Sequence, residues 1–323
     1  VAAGRSWSLH MAESRALPLM VPTPVTALLS ALLLGAALAE PEHCSAADMP
    51  RVSLGDGNML PAVGLGLYYT PPGAVAQDIV REALRLGYRH LDTAGFYENE
   101  ADVGRAVRES GIPREQIHIT SKVWPEAEGR WVEDGFAAVL DAVNASVAAL
   151  GTRADLYLIH WPVNPEQRIE YWLALEEAQR LGLARSIGVS NFGVAHLQQL
   201  IDSPRTSVVP AANEVELHPF LRKDEIEAFC AARGIRLIAY SPLARALRLD
   251  HPSLEAAAAR HGVSTAQVLV RWSVQHGYVP LPKSVRSERV AQNVDVFAFE
   301  LSAQEMAALD ALDERLFTEW EEW

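Results

Sequence analysis

The feature that most constrains this chain is an alternation. From Arg51 onward, short runs rich in β-branched and aromatic residues trade places with longer stretches whose apolar residues recur at helical spacing. The β-rich runs are 63–68, 90–94, 117–124, 155–161, 186–190, 211–217, 236–241 and 279–282. Helical stretches cover 76–86, 136–150, 166–181, 223–233, 264–276 and 302–312. Gly87, Gly111, Gly151, Gly182, Gly234 and Gly277 stand where a left-handed residue would end a helix. Eight strands alternating with helices over about 260 residues imply an α/β fold in which a parallel sheet closes on itself, a (β/α)8 or TIM barrel. The open alternative, a dinucleotide-binding sheet, needs G-x-G-x-x-G after its first strand. Here Val63-Gly64-Leu65-Gly66-Leu67 carries only two of the glycines, and the Tyr-Tyr-Thr-Pro-Pro that follows cannot open a helix directly.

Polar residues that look out of place in apolar strands gather at the strands' C-terminal ends. They are Asp92, Lys122, His160, Ser190-Asn191, Glu214, Tyr240-Ser241 and Lys283-Ser284. In a barrel these ends converge on the face where active sites are built, so scattered surface polarity is the poorer explanation. Any one of them has a plainer reading: Tyr97 a half-buried core tyrosine, His160 a satisfied structural histidine, Asp92 and Lys122 a buried ion pair. Their contexts together point to chemistry.

Those contexts resemble a known family. Residues 87–107 read GYRHLDTAGFYENEADVGRAV, which resembles the first signature of the aldo-keto reductases. Ile119-Thr-Ser-Lys122-Val-Trp is similar to the family's lysine strand, and Leu156-Tyr-Leu-Ile-His160-Trp-Pro to its histidine strand. Gly188-Val-Ser-Asn191-Phe and Leu281-Pro-Lys283-Ser-Val are similar to its cofactor strands. The likeness runs from about Val52 to about Leu312 and is nearest to the group of bacterial diketogluconate reductases and aldose reductases.

The resemblance implies NADPH-dependent reduction of aldehydes or ketones at a site of Asp92, Tyr97, Lys122 and His160. The chemistry asks for such a set. Reduction needs a hydride donor on carbon and an acid for the developing alkoxide, and a free phenol has a pKa near 10. A neighbouring ammonium, Lys122, is expected to lower the Tyr97 pKa, with Asp92 holding Lys122 charged and His160 aligning the carbonyl oxygen. By the same resemblance, Ser190, Asn191 and Glu214 meet the nicotinamide carboxamide, Tyr240 stacks on its ring and Ser241 lies on the phosphate side. Lys283, Ser284 and Arg289 meet the 2′-phosphate and Asn293 the adenine. Tyr68, Trp124 and Trp161 belong to the substrate pocket.

Charge bears on this assignment. The net charge of −13 argues against an extended nucleic-acid surface. An acidic protein that binds an anionic cofactor needs a local basic pocket. Lys283, Arg286 and Arg289, at the start of a short helix, supply one and favour NADPH over NADH.

The pattern breaks in two places. Where the family more often has glutamine, this chain has Glu214, which when ionised can only accept hydrogen bonds. The missing donor is expected from Asn191 instead. Tyr68 stands where relatives often carry tryptophan. The segments 163–165 and 243–252 and the tail after Leu312 are short, which predicts an open pocket of broad specificity.

A non-catalytic member of the family is a second reading, disfavoured because all four positions are intact. A barrel hydrolase built on Asp92 and His160 is a third, with no nucleophile in evidence. No Cys/His spacing suggests a metal site. Of the two cysteines, Cys230 reads as a small apolar residue on the 226–229–230 face of a helix. The expected partner is a small carbonyl substrate, with no nucleic acid, no membrane span in the mature protein, and a monomeric state.

The first 49 residues differ from the rest, and the barrel is assigned to 50–323. Residues 25–39 read VTALLSALLLGAALA, preceded by Arg5 and Arg15 and ending in small residues before Glu40. That is the layout of a secretory signal peptide, and it is short for a membrane span. A start at Met11 would give a secretory or organellar protein; a start at Met49 would give a cytoplasmic one. Cys44 lies in the linker that follows.

Overall fold

The computed structural model describes residues 49–124, 126–127, 130–131, 135–162 and 165–319. Residues 25–39 and Cys44, which carry the signal-peptide reading, lie outside them. Eight parallel strands follow in order: β1 Leu65–Gly66, β2 His90–Asp92, β3 His118–Val123, β4 Ala154–Ile159, β5 Ala184–Ser190, β6 Ala212–Glu216, β7 Arg236–Tyr240 and β8 Val279–Pro280. Each pairs with the next in sequence. Every strand expected from the alternation is present, each within two residues of its expected ends.

Two backbone hydrogen bonds join the first strand to the last. Gly64 N–H donates to Pro280 O at 3.0 Å and Gly66 N–H to Pro282 O at 3.2 Å. This closure explains the two glycines of the first run. A Cβ on Gly66 would lie 2.9 Å from the Leu281 carbonyl oxygen, and one on Gly64 would strike the His90 ring at 2.5 Å. The seam tolerates no side chain at either position.

The helices are α1 Ala74–Arg85, α2 Glu100–Glu109, α3 Gly135–Leu150, α4 Pro165–Arg180, α5 Val194–Asp202, α6 Asp224–Ala231, α7 Pro252–His261, α8 Thr265–Gln275, α9 Ser287–Val294 and α10 Ala303–Asp310. All six glycines expected to end helices have positive φ, between 68° and 98°. The helices α2, α5 and α7 go beyond those expected. The helix α7 reads PSLEAAAARH, too alanine-rich to show an apolar stripe, yet Pro252 at its first turn and left-handed Gly262 after it (φ 67°) were a legible signal.

A hairpin of Arg51–Ser53 and Met59–Pro61 precedes the barrel. Its Leu54 and Leu60 pack among Leu156, Leu158, Ala211, Ala212, Ile238, Val279 and Leu281. Gly55 N–H bonds Ala211 O, just before β6 begins. The hairpin therefore plugs the N-terminal end of the barrel and leaves the C-terminal end open. Cys230 is fully buried, and burial pushes its thiol up to about 12, as suits a packing residue. No helix among the described residues is long and apolar enough to cross a membrane.

Candidate active site

At the open end, strand geometry brings the expected polar residues together. The strand β3 carries Lys122 inward until its side chain is fully buried. Its Nζ lies 2.5 Å from Asp92 Oδ1, at the end of β2, and 3.1 Å from Thr93 O. Tyr97 arrives on a short 3-10 turn, Gly95–Tyr97, which left-handed Glu98 (φ 57°) ends. The Tyr97 hydroxyl sits 3.5 Å from Lys122 Nζ and 3.5 Å from Nε2 of His160, which follows β4.

Lys122 has a second acidic neighbour. Glu214 Oε1, from β6, is 3.2 Å from its Nζ. Burial alone would lower the Lys122 pKa, but Asp92, Glu214 and Tyr97 reverse that and hold it above its ordinary value. Burial pushes the Asp92 carboxyl up, with Lys122 opposing. It pushes Glu214 well above the usual carboxylate range, aided by Asp92 and opposed by Lys122.

One expectation is corrected here. The Tyr97 phenol is raised, not lowered: burial outweighs the Lys122 ammonium, and Asp92 and Glu214 add to the rise. An ammonium flanked by two carboxylates has little net positive field left to stabilise a phenolate. Tyr97 is thus a firmly protonated phenol. Burial, and then Lys122, hold His160 well below its ordinary pKa, so its imidazole is neutral.

An aromatic collar surrounds these groups. The Tyr68 ring lies 5.0 Å from that of Tyr97, Trp124 meets His160 edge-on at 5.0 Å, and Phe96 stacks on Trp124 at 4.9 Å. It helps to exclude water from His160 and Tyr97.

A cleft of about 620 Å³ runs from this collar along the barrel rim. Asp92, Tyr97, His160, Ser190, Asn191, Glu214, Tyr240, Ser241, Lys283, Ser284, Arg289 and Asn293 all line it, as do Tyr68, Trp124 and Trp161. Lys122 alone of the expected site residues stays behind the wall. Arg286 does not border the cleft: it occupies the N-cap position of α9, so of the three cations expected there only Lys283 and Arg289 line it.

Asn191 is hydrogen-bonded at both ends of its amide. Its Nδ2 donates to His160 O at 3.0 Å and to Ser190 Oγ at 3.1 Å, while its Oδ1 accepts from the Tyr240 hydroxyl at 2.8 Å. Both amide protons have partners among the strand ends. Its left-handed backbone (φ 64°) turns the side chain inward across the strand ends.

Several lining residues were missed by sequence reasoning. Ser264 and Thr265 reach the cleft at the start of α8, where Ser264 caps the helix through a reciprocal bond with Gln267. That S-x-x-Q pattern was a readable signal. Arg245 and Glu319 gave none. They pair at 3.0 Å, and the Arg245 guanidinium lies 5.5 Å from the Tyr69 ring. Thr318 and Glu319 are held by the buried Glu216, which accepts Thr318 N–H at 2.9 Å and Glu319 N–H at 3.3 Å and also contacts His218. The short tail is therefore tied to the rim and puts Glu319 at the cleft's edge.

Among the described residues, no group of three or more His, Cys, Asp or Glu is placed to hold a metal ion.

Residues 64–314 match the model of the aldo/keto reductase family. The chain belongs to the aldo/keto reductase family. An aldo-keto reductase of Mycobacterium sp. (strain KMS) is 45% identical over 268 residues, covering 82% of this chain and 94% of the relative. The glyoxal reductase of Bacillus subtilis (strain 168) is 42% identical over 268 residues, with the same two coverages. Among solved structures, an aldo/keto reductase from Brucella melitensis superposes with a TM-score of 0.76 at 38% identity, covering 82% of this chain and all of that one. A Bombyx mori aldo-keto reductase in complex with NADP superposes with a TM-score of 0.75 at 32% identity, covering 83% of this chain and 94% of that one. Family membership makes the chain an oxidoreductase and implies NAD(P)H-dependent carbonyl reduction.

Proposed function

We propose that the protein reduces small aldehydes and ketones with NADPH, Tyr97 acting as general acid and Lys122, Asp92 and His160 setting its proton and its geometry. The observation that carries this reading is the convergence of four groups. A buried ammonium–carboxylate pair and a neutral imidazole meet one phenol in a cleft that Lys283 and Arg289 also line.

The residues fit the cofactor. The cleft that Tyr97 lines also carries the cations Lys283 and Arg289. Toward the tetrad, His160 Nδ1 is buried with no partner among the described residues, so polar capacity there is open to a ligand. NADPH, when bound, supplies the hydride. The chain then has the proton to manage. Tyr97 holds it on Oη and delivers it to the carbonyl oxygen as the alkoxide develops. Lys122 Nζ donates to Tyr97 Oη at 3.5 Å and so orients the hydroxyl for that delivery. His160, neutral, offers an N–H to the same carbonyl oxygen and fixes the angle of approach. The collar of Tyr68, Phe96 and Trp124 excludes water and suits a carbonyl bearing a flat or apolar substituent. The relative named as a glyoxal reductase supports testing short 2-oxoaldehydes beside aromatic aldehydes.

Tyr97→Phe tests the assignment. It should lower kcat by about 10²–10⁴ while NADPH still quenches tryptophan fluorescence, because a positioned acid contributes about that factor. Retention of more than about a hundredth of kcat would remove Tyr97 from the role. We propose further that residues 25–39 act as a secretory signal, on the strength of their composition and length alone.

A further inference from the structure

Lys122 is the one cation paired with either buried carboxylate among the described residues, yet it serves two. The Asp92, Lys122 and Glu214 side chains are all at most 4% exposed. With every group ionised the cluster would hold a net charge of −1 away from water, an arrangement that proteins avoid by keeping a proton. Asp92 takes the closer contact with the ammonium, 2.5 Å against 3.2 Å for Glu214. Glu214 lines the cleft, and its buried carboxyl lies within hydrogen-bonding reach of the Asp92 carboxyl, an arrangement that calls for a proton between them. The remaining groups on this floor bring no countercharge. Tyr97 and Tyr240 are protonated phenols and His160 is a neutral imidazole. The next acids out, Glu216 and Glu319, are tied to His218 and Arg245.

We propose that Glu214 is a charge-compensating residue: it carries a proton while the site holds reduced nicotinamide and releases that proton when the site holds the oxidised, cationic ring. This rests on the reductase reading above. The electrical logic is direct. The reduced ring is neutral, so the cluster is best neutral, with a protonated Glu214 that can also donate a hydrogen bond as a glutamine would. The oxidised ring carries one positive charge, and an ionised Glu214 beside it completes a neutral set. The proton leaves the Glu214 carboxyl for solvent, and no electrons move in that step. Burial and the neighbouring Asp92 hold the Glu214 carboxyl well above the usual range, with Lys122 opposing, so its proton is present to be released. A glutamine at 214 could not respond in this way. The consequence is a site that prefers the oxidised cofactor increasingly as pH rises.

The test is binding, with no substrate present. Dissociation constants for NADP+ and NADPH are measured from about pH 5.5 to 9 by fluorescence quenching in Tyr97→Phe, which removes titration of the phenol, and in Tyr97→Phe/Glu214→Gln. The 2′-phosphate titrates in both cofactors and cancels in the ratio of the two constants. In the Glu214 protein, the ratio of the NADP+ constant to the NADPH constant should fall about tenfold or more as pH rises, the size of an ordinary coupling between two sites. In the Glu214→Gln protein the ratio should be flat. Calorimetry of the wild-type chain in two buffers of different protonation enthalpy needs no variant: NADP+ binding should release more protons than NADPH binding. A flat ratio with Glu214 present, the same slope in both proteins, or equal proton release for the two cofactors would each overturn this inference and leave the reductase reading standing. Failure of both cofactors to bind would overturn the reductase reading and this inference with it.

Discussion

Lys122→Met removes the ammonium and keeps most of the side chain's volume, so it isolates the charge at the centre of the site. The loss can be worked from the structure. Asp92 at 2.5 Å and Glu214 at 3.2 Å would be left facing each other, fully buried. At an effective dielectric near 20, each lost attraction is worth roughly 5–7 kcal/mol before relaxation, by Coulomb's law at those distances. The protein has an easier way out, which is to bind another proton. A carboxyl that ionises near pH 4 when unfolded can be held neutral at pH 7 for about 1.4 kcal/mol per pH unit, or about 4 kcal/mol. If Glu214 already holds one proton, only Asp92 must gain one. The expected destabilisation is therefore about 4 kcal/mol at pH 7, within the roughly 3–5 kcal/mol measured when one partner of a buried pair is removed.

The sign of the pH dependence follows. In the variant the folded-state pKa of Asp92 lies above its unfolded value. Its protonated form supports folding fully below about pH 4, and that support is lost as pH rises toward the folded value. The penalty should therefore shrink on acidification, to about 1–2 kcal/mol at pH 5. Urea unfolding followed by tryptophan fluorescence at pH 5, 6 and 7, wild type against variant, measures this. A penalty under about 1 kcal/mol at pH 7, or one that does not change with pH, would refute a buried, doubly paired ammonium.

Arg289→Ala should weaken NADPH by about tenfold or more and NADH far less, since a hydrogen bond to a charged group is worth roughly 1.5–3 kcal/mol; equal weakening of both would move Arg289 away from the 2′-phosphate. His118 is buried against His90 and depressed to about 3 by burial and by nearby arginines, so its contribution to stability is present above about pH 6.5 and lost as pH falls toward 3. His118→Gln should flatten the acid limb of the stability profile by about 1.4 kcal/mol per pH unit between those values, and an unchanged limb would show that His118 is protonated in the folded state. A reporter fused after Cys44 should enter a membrane-bound compartment if residues 25–39 are a signal, whereas a diffuse cytosolic reporter or a native N-terminus at or near Met49 would end that proposal.

Much of this protein was legible one segment at a time. An apolar strand that ends in a charged or hydroxylated residue announces itself locally, so Asp92, Lys122, His160 and Ser190 could be placed at strand ends from the chain alone, whereas Glu214, expected at an end, lies in the middle of β6. Left-handed glycines marked helix ends for the same reason: their signal lies in one residue and its neighbours. Helix α7 escaped because an alanine-rich sequence shows little amphipathic contrast.

What the chain could not show was how distant strand ends would meet. The contact between Glu214 and Lys122 joins β6 to β3, and no local pattern measures that 3.2 Å. Sequence reasoning therefore balanced one carboxylate against one ammonium and expected a lowered Tyr97. The fold put two carboxylates on that ammonium and buried the phenol, which reversed the sign. The commitment of both Asn191 amide protons, the latch of Thr318 on Glu216 and the seam that admits only glycine at 64 and 66 belong to the same class. Residue type and periodicity determine which groups a strand can carry to the rim, because those depend on neighbours along the chain. The charge each group bears there depends on distances across the barrel and on burial, and closure of the sheet decides both.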